Sequence, residues 1–96
     1  MTYRLDMDGE TRVLLSHLPP RPKRKVKESL RAIAKDPVLG KALQENLSGL
    51  YSYRIGSLRV IYSIDPSKKT VHVIAVGPRR TVYEQLEREL AARKRD

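Results

Sequence analysis

Apolar and polar positions alternate at the very start of the chain. In Thr2–Met7, Tyr3, Leu5 and Met7 interleave with Thr2, Arg4 and Asp6, the period of a half-buried strand. Asp8 suits a helix N-cap. Glu10–Leu18 then reads as a short helix with Val13, Leu14 and Leu18 inward, stopped by Pro19-Pro20. Pro22 fits the first turn of a second helix. There Val26, Leu30, Ile33 and Ala34 recur at i, i+4, i+7 and i+8, giving one apolar face. Asp36-Pro37 ends it. Val38–Asn46 reads as a loop with a helical turn that brings Leu43 and Leu47 to the core.

The pattern then shortens to a period of two. Tyr51–Ile55 is aromatic and β-branched. Gly56-Ser57 is a two-residue turn of the type that wants Gly first. In Leu58–Ile64, Leu58, Val60, Tyr62 and Ile64 point one way and Arg59, Ile61 and Ser63 the other. Asp65–Lys69 is a second turn. Thr70–Val76 is rich in β-branched residues, which suggests a central strand buried on both faces. After Gly77-Pro78 a last helix begins near Thr81, with Val82, Leu86 and Leu90 in a narrow apolar stripe. The order is β-α-α-β-β-β-α. It predicts an α+β fold: an antiparallel β-sheet, the two N-terminal helices on one face, and the C-terminal helix at one end.

This register places charge where folding alone gives no reason for it. With Gly56-Ser57 as the whole turn, Ile55 faces Leu58 and Arg54 faces Arg59. Like charges directly opposite destabilise a sheet. The next hairpin brings the end of its last strand, near Val76, beside Arg59, and Arg79 and Arg80 follow at once. Four arginines therefore converge at one end of the sheet. No acidic residue lies between Arg54 and Arg59 or between Val71 and Tyr83. A polyanion would account for this, since arginine presents a planar fork suited to phosphate oxygens. On the second helix, Lys23, Lys27 and Arg31 lie on the polar face, which is either a solvated surface or a set of RNA contacts.

Composition sharpens the picture. The chain has 96 residues, enough for one domain with one modest core. Its 20 Lys+Arg against 11 Asp+Glu give a net charge of +9, the footprint of a nucleic-acid binder or of a protein held by an acidic partner. Cys, Trp and Phe are absent, so the core rests on Leu, Ile and Val, with Tyr51, Tyr53 and Tyr62 reading as core aromatics. There is no disulfide frame, no thiolate metal site and no His/Asp/Glu cluster with metal-ligand spacing. No cofactor is expected. His17 and His72 come from distant elements, and His72 lies at the far end of its strand from the arginines, so a two-histidine nuclease is rejected. No apolar run approaches the roughly 18 residues of a membrane span, and no signal peptide is visible. The expected location is cytoplasmic.

The combined pattern of Tyr53-Arg54-Ile55-Gly56, Leu58-Arg59-Val60-Ile61-Tyr62 and Val76-Gly77-Pro78-Arg79-Arg80-Thr81-Val82-Tyr83 resembles the RelE/ParE superfamily of toxins from type II toxin–antitoxin systems, and its RelE branch most. The resemblance covers essentially the whole chain, as a single RelE-like domain. It implies a metal-independent endoribonuclease that cuts messenger RNA in the A site of the 70S ribosome and so inhibits translation. The RNA 2′-hydroxyl attacks the adjacent phosphate. It also implies a RelB-like antitoxin, an acidic and partly disordered partner in a toxin–antitoxin hetero-oligomer.

Residue by residue, the resemblance gives Arg59 the scissile phosphate and Arg79 the role of transition-state stabiliser or general acid. Arg54 falls near a basic position of the second strand. Tyr83 matches a tyrosine that stacks on a base or assists proton transfer, and Arg80 has a looser counterpart in members with paired arginines. One departure stands out. Better-known members carry two lysines on the second strand, one a candidate general base, where this chain has Ser52 and Arg54. Two other readings share these features: a ParE-like inhibitor of DNA gyrase, and a non-catalytic RNA-binding module.

Overall fold

The computed structural model describes residues 2–94. Its elements are β1 (Arg4–Met7), α1 (Gly9–Ser16), α2 (Pro20–Lys35), β2 (Lys41–Ala42), β3 (Leu50–Ile55), β4 (Leu58–Asp65), β5 (Thr70–Pro78) and α3 (Arg79–Lys94). Short 3-10 turns at Pro37–Leu39 and Glu45–Leu47 flank β2. The fold is α+β, built on one five-stranded sheet in the order β1-β5-β4-β3-β2. The expected tail Arg93-Lys94-Arg95-Asp96 passes outside the described residues at Arg95, and so does the side chain of Leu90.

Local chemistry sets the helix ends. The Asp8 carboxylate accepts the Thr11 N–H at 2.8 Å, which caps α1 and holds that carboxyl below its usual range. The same contact fixes which face of α1 turns inward. Thr11 is buried, and Leu15 and Leu18 pack on the core at i+4 and i+7. Val13 and Leu14, expected inside, are instead 57% and 47% exposed. Pro19 caps the start of α2, which begins at Pro20 and so places Pro22 in its first turn, as expected. Its apolar face is the expected one: Val26, Leu30, Ile33 and Ala34 are buried.

The meander β3-β4-β5 is antiparallel, and β2 adds an antiparallel edge to β3. The first strand departs from the expectation. β1 runs parallel to β5, with Leu5 opposite Val71 and Met7 opposite Val73, so the sheet is mixed. The α1–α2 pair carries the chain across one face to the far edge, and parallel neighbours require a crossover of that kind. By position the central strand is therefore β4. β5 lies between β1 and β4 and is buried on both faces.

Between Ile61 and Tyr62 the β4–β5 register slips: Ile61 pairs with Ala75, and Tyr62 pairs with Val73. Ile74 is the extra residue of a bulge, which reverses the facing of everything after it on β5. Val71 and Val73 belong to the larger core under α1 and α2, with Val60 and Tyr62. Ala75 joins Ile61, Val82 and Leu86 in a second core on the opposite face. α3 thus covers a face of the sheet, where the sequence suggested only an end.

Tyr62 ties the larger core to the chain beside it. Its ring stacks on Tyr51 with centroids 5.5 Å apart. Its hydroxyl donates to the Pro37 carbonyl at 2.7 Å and accepts the Gly40 N–H at 2.9 Å. Burial pushes the phenol up, partly offset by the Gly40 bond. A β-carbon on Gly40 would sit 2.6 Å from that hydroxyl, so only glycine fits. Among the described residues, no helix is long and apolar enough to cross a membrane.

Candidate nucleic-acid interface

The site begins at the β3–β4 turn. Gly56 has φ +59°, a conformation that favours glycine, and the turn is the two residues expected. The register follows from it: Ile55 opposite Leu58, and Arg54 opposite Arg59. The two guanidinium groups are held apart along the strands. Arg54 Nε donates to the Gly56 carbonyl at 3.2 Å, toward the turn. Arg59 donates to Ser52 Oγ at 3.2 Å, away from it.

The bulge in β5 completes the arrangement, because it sets Gly77 opposite Arg59. Gly77 is buried, and a β-carbon there would stand 3.3 Å from Val82 Cγ2. The missing side chain lets α3 fold back on the sheet directly after Pro78. Its first residue, Arg79, then joins Arg54, Arg59 and the turn residues Gly56, Ser57 and Leu58 around a small cleft of about 130 Å³. Arg54 and Arg79 are exposed and Arg59 is half-buried. Among the described residues, none of the three forms an ion pair with a carboxylate. The first turn of α3 carries no acidic residue, so the helix dipole adds positive potential at the same place.

The other candidates divide. Tyr83 lies one turn beyond Arg79 on the same helix face, half-buried against the second core. Arg80 is exposed and does not line the cleft. Lys23, Lys27 and Arg31 lie on α2, in the layer on the other side of the sheet. Lys23 and Lys27 border a groove between α1 and α2 instead. His17 Nδ1 bonds the Val13 carbonyl at 2.8 Å at the end of α1, and His72 pairs with Asp6 at 3.0 Å between β5 and β1. Among the described residues, no group of three His, Cys, Asp or Glu side chains could hold a metal ion.

Two residues near the cleft have places that the sequence does not reveal. Ser52 is buried and orients Arg59. Its position on the arginine face, two residues before Arg54, was a usable signal. Lys41 pairs with Ser52 across the β2–β3 edge, so it shares the sheet face of Ser52 and Arg59. A two-residue strand inside a loop gives no periodicity from which to find it.

Residues 10–83 match the family model described as ParE toxin of type II toxin-antitoxin system, parDE. That match takes in the turn, all three arginines of the cleft and Tyr83. The chain belongs to this toxin family. Within it, the chain is 32% identical over 87 residues to Toxin RelG of Mycobacterium tuberculosis, a match that covers 88% of this chain and all of the relative. The toxin–antitoxin complex RelBE2 of the same organism contains a chain that superposes with a TM-score of 0.73 at 32% identity, covering 82% of this chain and all of that one. A double mutant of Escherichia coli toxin RelE in the free state has the same fold, with a TM-score of 0.74 at 24% identity over 92% of this chain and 98% of that one. This is a RelE-like toxin of a type II toxin–antitoxin system.

Proposed function

We propose that this toxin is a ribosome-dependent endoribonuclease that cuts messenger RNA in the A site and thereby stops translation. One observation carries the reading: Arg54, Arg59 and Arg79 surround a cleft of about 130 Å³ without a carboxylate partner among the described residues. That volume is well below the roughly 300–1,000 Å³ of small-molecule pockets. It suits a single phosphate group. Likeness to relatives named RelG and RelE supports the RelE branch, the branch whose resemblance implies RNA.

The chemistry needs no metal. The 2′-hydroxyl of the nucleotide before the cut attacks the adjacent phosphorus and gives up its proton. A 2′,3′-cyclic phosphate forms, and the 5′-oxygen of the next nucleotide leaves and takes up a proton. Arg59 binds the phosphate from its Ser52-anchored position. Arg79 and Arg54 meet the charge that develops on the phosphoryl oxygens, a contribution of about 2.7–4 kcal/mol for each preorganised donor. Arginine stays protonated, so it stabilises charge more readily than it moves protons. Tyr83, on the Arg79 face of α3, meets a base or carries a proton. Arg80 and the α2 cations Lys23, Lys27 and Arg31 bind RNA outside the cleft. A RelB-like antitoxin, rich in acidic side chains, covers the arginines in the stored hetero-oligomer. Action on the ribosome places the toxin in the cytoplasm.

The test is a cell-free translation reaction with purified toxin, with messenger 5′ ends mapped by primer extension. New cuts in the A site, lost in both Arg59→Ala and Arg79→Ala, are the expected result. Intact messenger and continued translation at high toxin concentration would overturn the reading. The ParE description of the matched family favours a second one, inhibition of DNA gyrase. A supercoiling assay on the same preparation separates the two.

A further inference from the structure

A second hollow lies across the β3–β4 turn from the arginine cleft. It measures about 500 Å³, and Pro19, Pro22, Ile55 and Leu58 give it apolar walls. Arg21 and Lys25, one helical turn apart on α2, supply its cations. Gly56, Ser57 and Leu58 line both hollows, so the turn is a low divide between them. One hollow has a wall from α3 and the other a wall from α2, which cover opposite faces of the sheet.

Charge on this side is also unbalanced. The sequence has no acidic residue between Glu10 and Glu28 or between Arg54 and Ile64. Arg21 and Lys25 repel each other at i, i+4, and they stand in the first turns of a helix whose dipole disfavours cations there. Among the described residues, neither forms an ion pair. Unpaired cations over an apolar floor suit an unstacked nucleotide: the base rests against apolar side chains and the cations meet the charged backbone.

We propose that the Arg21–Lys25 hollow is a second nucleotide subsite, which holds the same RNA strand where it crosses the Gly56-Ser57 turn on leaving the arginine cleft. The cleft is too small for more than one phosphate, and the larger hollow takes the neighbouring nucleotide. The subsite makes the toxin grip a run of nucleotides rather than one linkage. It rests on the RNA reading of the arginine cleft.

The test is fluorescence anisotropy of the full chain with two RNA oligonucleotides that carry 2′-O-methyl groups and cannot be cut: a trinucleotide and an octanucleotide. Arg21→Ala combined with Lys25→Ala should weaken the octanucleotide and leave the trinucleotide unchanged. The log–log salt dependence for the octanucleotide should become shallower by about 1.4, two phosphate contacts at roughly 0.7 each. Arg59→Ala should weaken both. Lys35→Ala combined with Lys68→Ala removes the same charge elsewhere and should leave both unchanged. Octanucleotide binding unaltered in the Arg21/Lys25 variant overturns the proposal. So does equal loss for both oligonucleotides, or a loss confined to ribosome association, which would assign the hollow to ribosomal RNA. Wild-type protein that binds neither oligonucleotide also overturns the subsite, while the RNA reading of the arginine cleft stands or falls with the translation assay.

Discussion

On one face of the sheet, α1 and α2 close over Val60, Tyr62, Val71 and Val73, and the buried side chains of that core are apolar but for Tyr62, whose hydroxyl is bonded. On the other, α3 buries Ile61, Ala75, Val82 and Leu86, and beside that smaller core the strand ends carry Arg54 and Arg59 under Arg79. The same strands serve both faces. Val60 and Arg59 are neighbours in sequence, one fully buried in a core and one lining the cleft. Strand alternation lets a small domain fold with one set of residues and display a charge cluster with the next. Stability and activity should therefore separate by face, and substitutions can test how cleanly.

The largest effect is expected deep in the first face. Ile33 is fully buried on α2, and Ile33→Ala should cost about 2–5 kcal/mol of stability in urea unfolding. Much of a domain this size has only about 5–15 kcal/mol to lose. Arg59→Ala is the counterpart on the other face. It should lower the rate of messenger cleavage about 10²–10³-fold with the unfolding midpoint held or raised. A variant that loses both fold and activity would mean that Arg59 is a structural residue, and the contrast between faces would fail.

Tyr62 gives the contrast a pH dependence. Burial raises its pKa in the folded state, so the folded protein holds the phenol proton more tightly than the unfolded chain does. Its contribution is fully present below the unfolded value near 10 and is lost as pH rises through the raised folded value. Unfolding free energy should fall with increasing pH above about 10. Tyr62→Phe should flatten that fall and cost about 1–3 kcal/mol at neutral pH, because the Gly40 N–H and Pro37 carbonyl lose their partner. An unchanged alkaline slope in Tyr62→Phe would assign it to another group.

What could be read in advance follows the same division. A Gly-first two-residue turn fixes hairpin register, so the Arg54–Arg59 pair was legible from four letters and a count. Helix α2 was legible because its apolar period runs over several turns. The bulge at Ile74 was not, because one extra residue in a β-branched run leaves the composition unchanged. Yet it decides that Gly77 faces Arg59 and that α3 lies on a sheet face. The direction of β1 was hidden for a related reason: alternation tells which side chains are inward but not which way the strand runs. On α1, apolar character pointed to Val13 and Leu14, while the Asp8 cap turned Thr11 inward. The role of Ser52 was missed because it is a contact to Arg59, visible only once the strands are paired.

That contact carries a smaller prediction. Ser52→Ala removes the acceptor that draws Arg59 away from Arg54, worth about 0.5–1.5 kcal/mol for one hydrogen bond. Cleavage should slow by a few-fold to about tenfold, and Arg59→Ala should mask the effect when the two are combined. Additive losses in the double variant would show that Ser52 acts independently of Arg59.

The smallest expected effect has the opposite sign. Arg54 faces Arg59 across the ladder, and directly opposed like charges oppose pairing by roughly 0.2–1 kcal/mol. Arg54→Thr should therefore raise the unfolding midpoint, since threonine suits a strand, while it lowers RNA affinity and the cleavage rate. Added salt screens exposed charges, with a Debye length of about 10 Å at 0.1 M and 3 Å at 1 M. The stability gap between wild type and variant should close over that range. A gap that persists at 1 M salt would trace the gain to strand propensity rather than repulsion. A gap that closes would mean that the fold tolerates the arginine pair at a small cost, and that the pair is kept for what it binds.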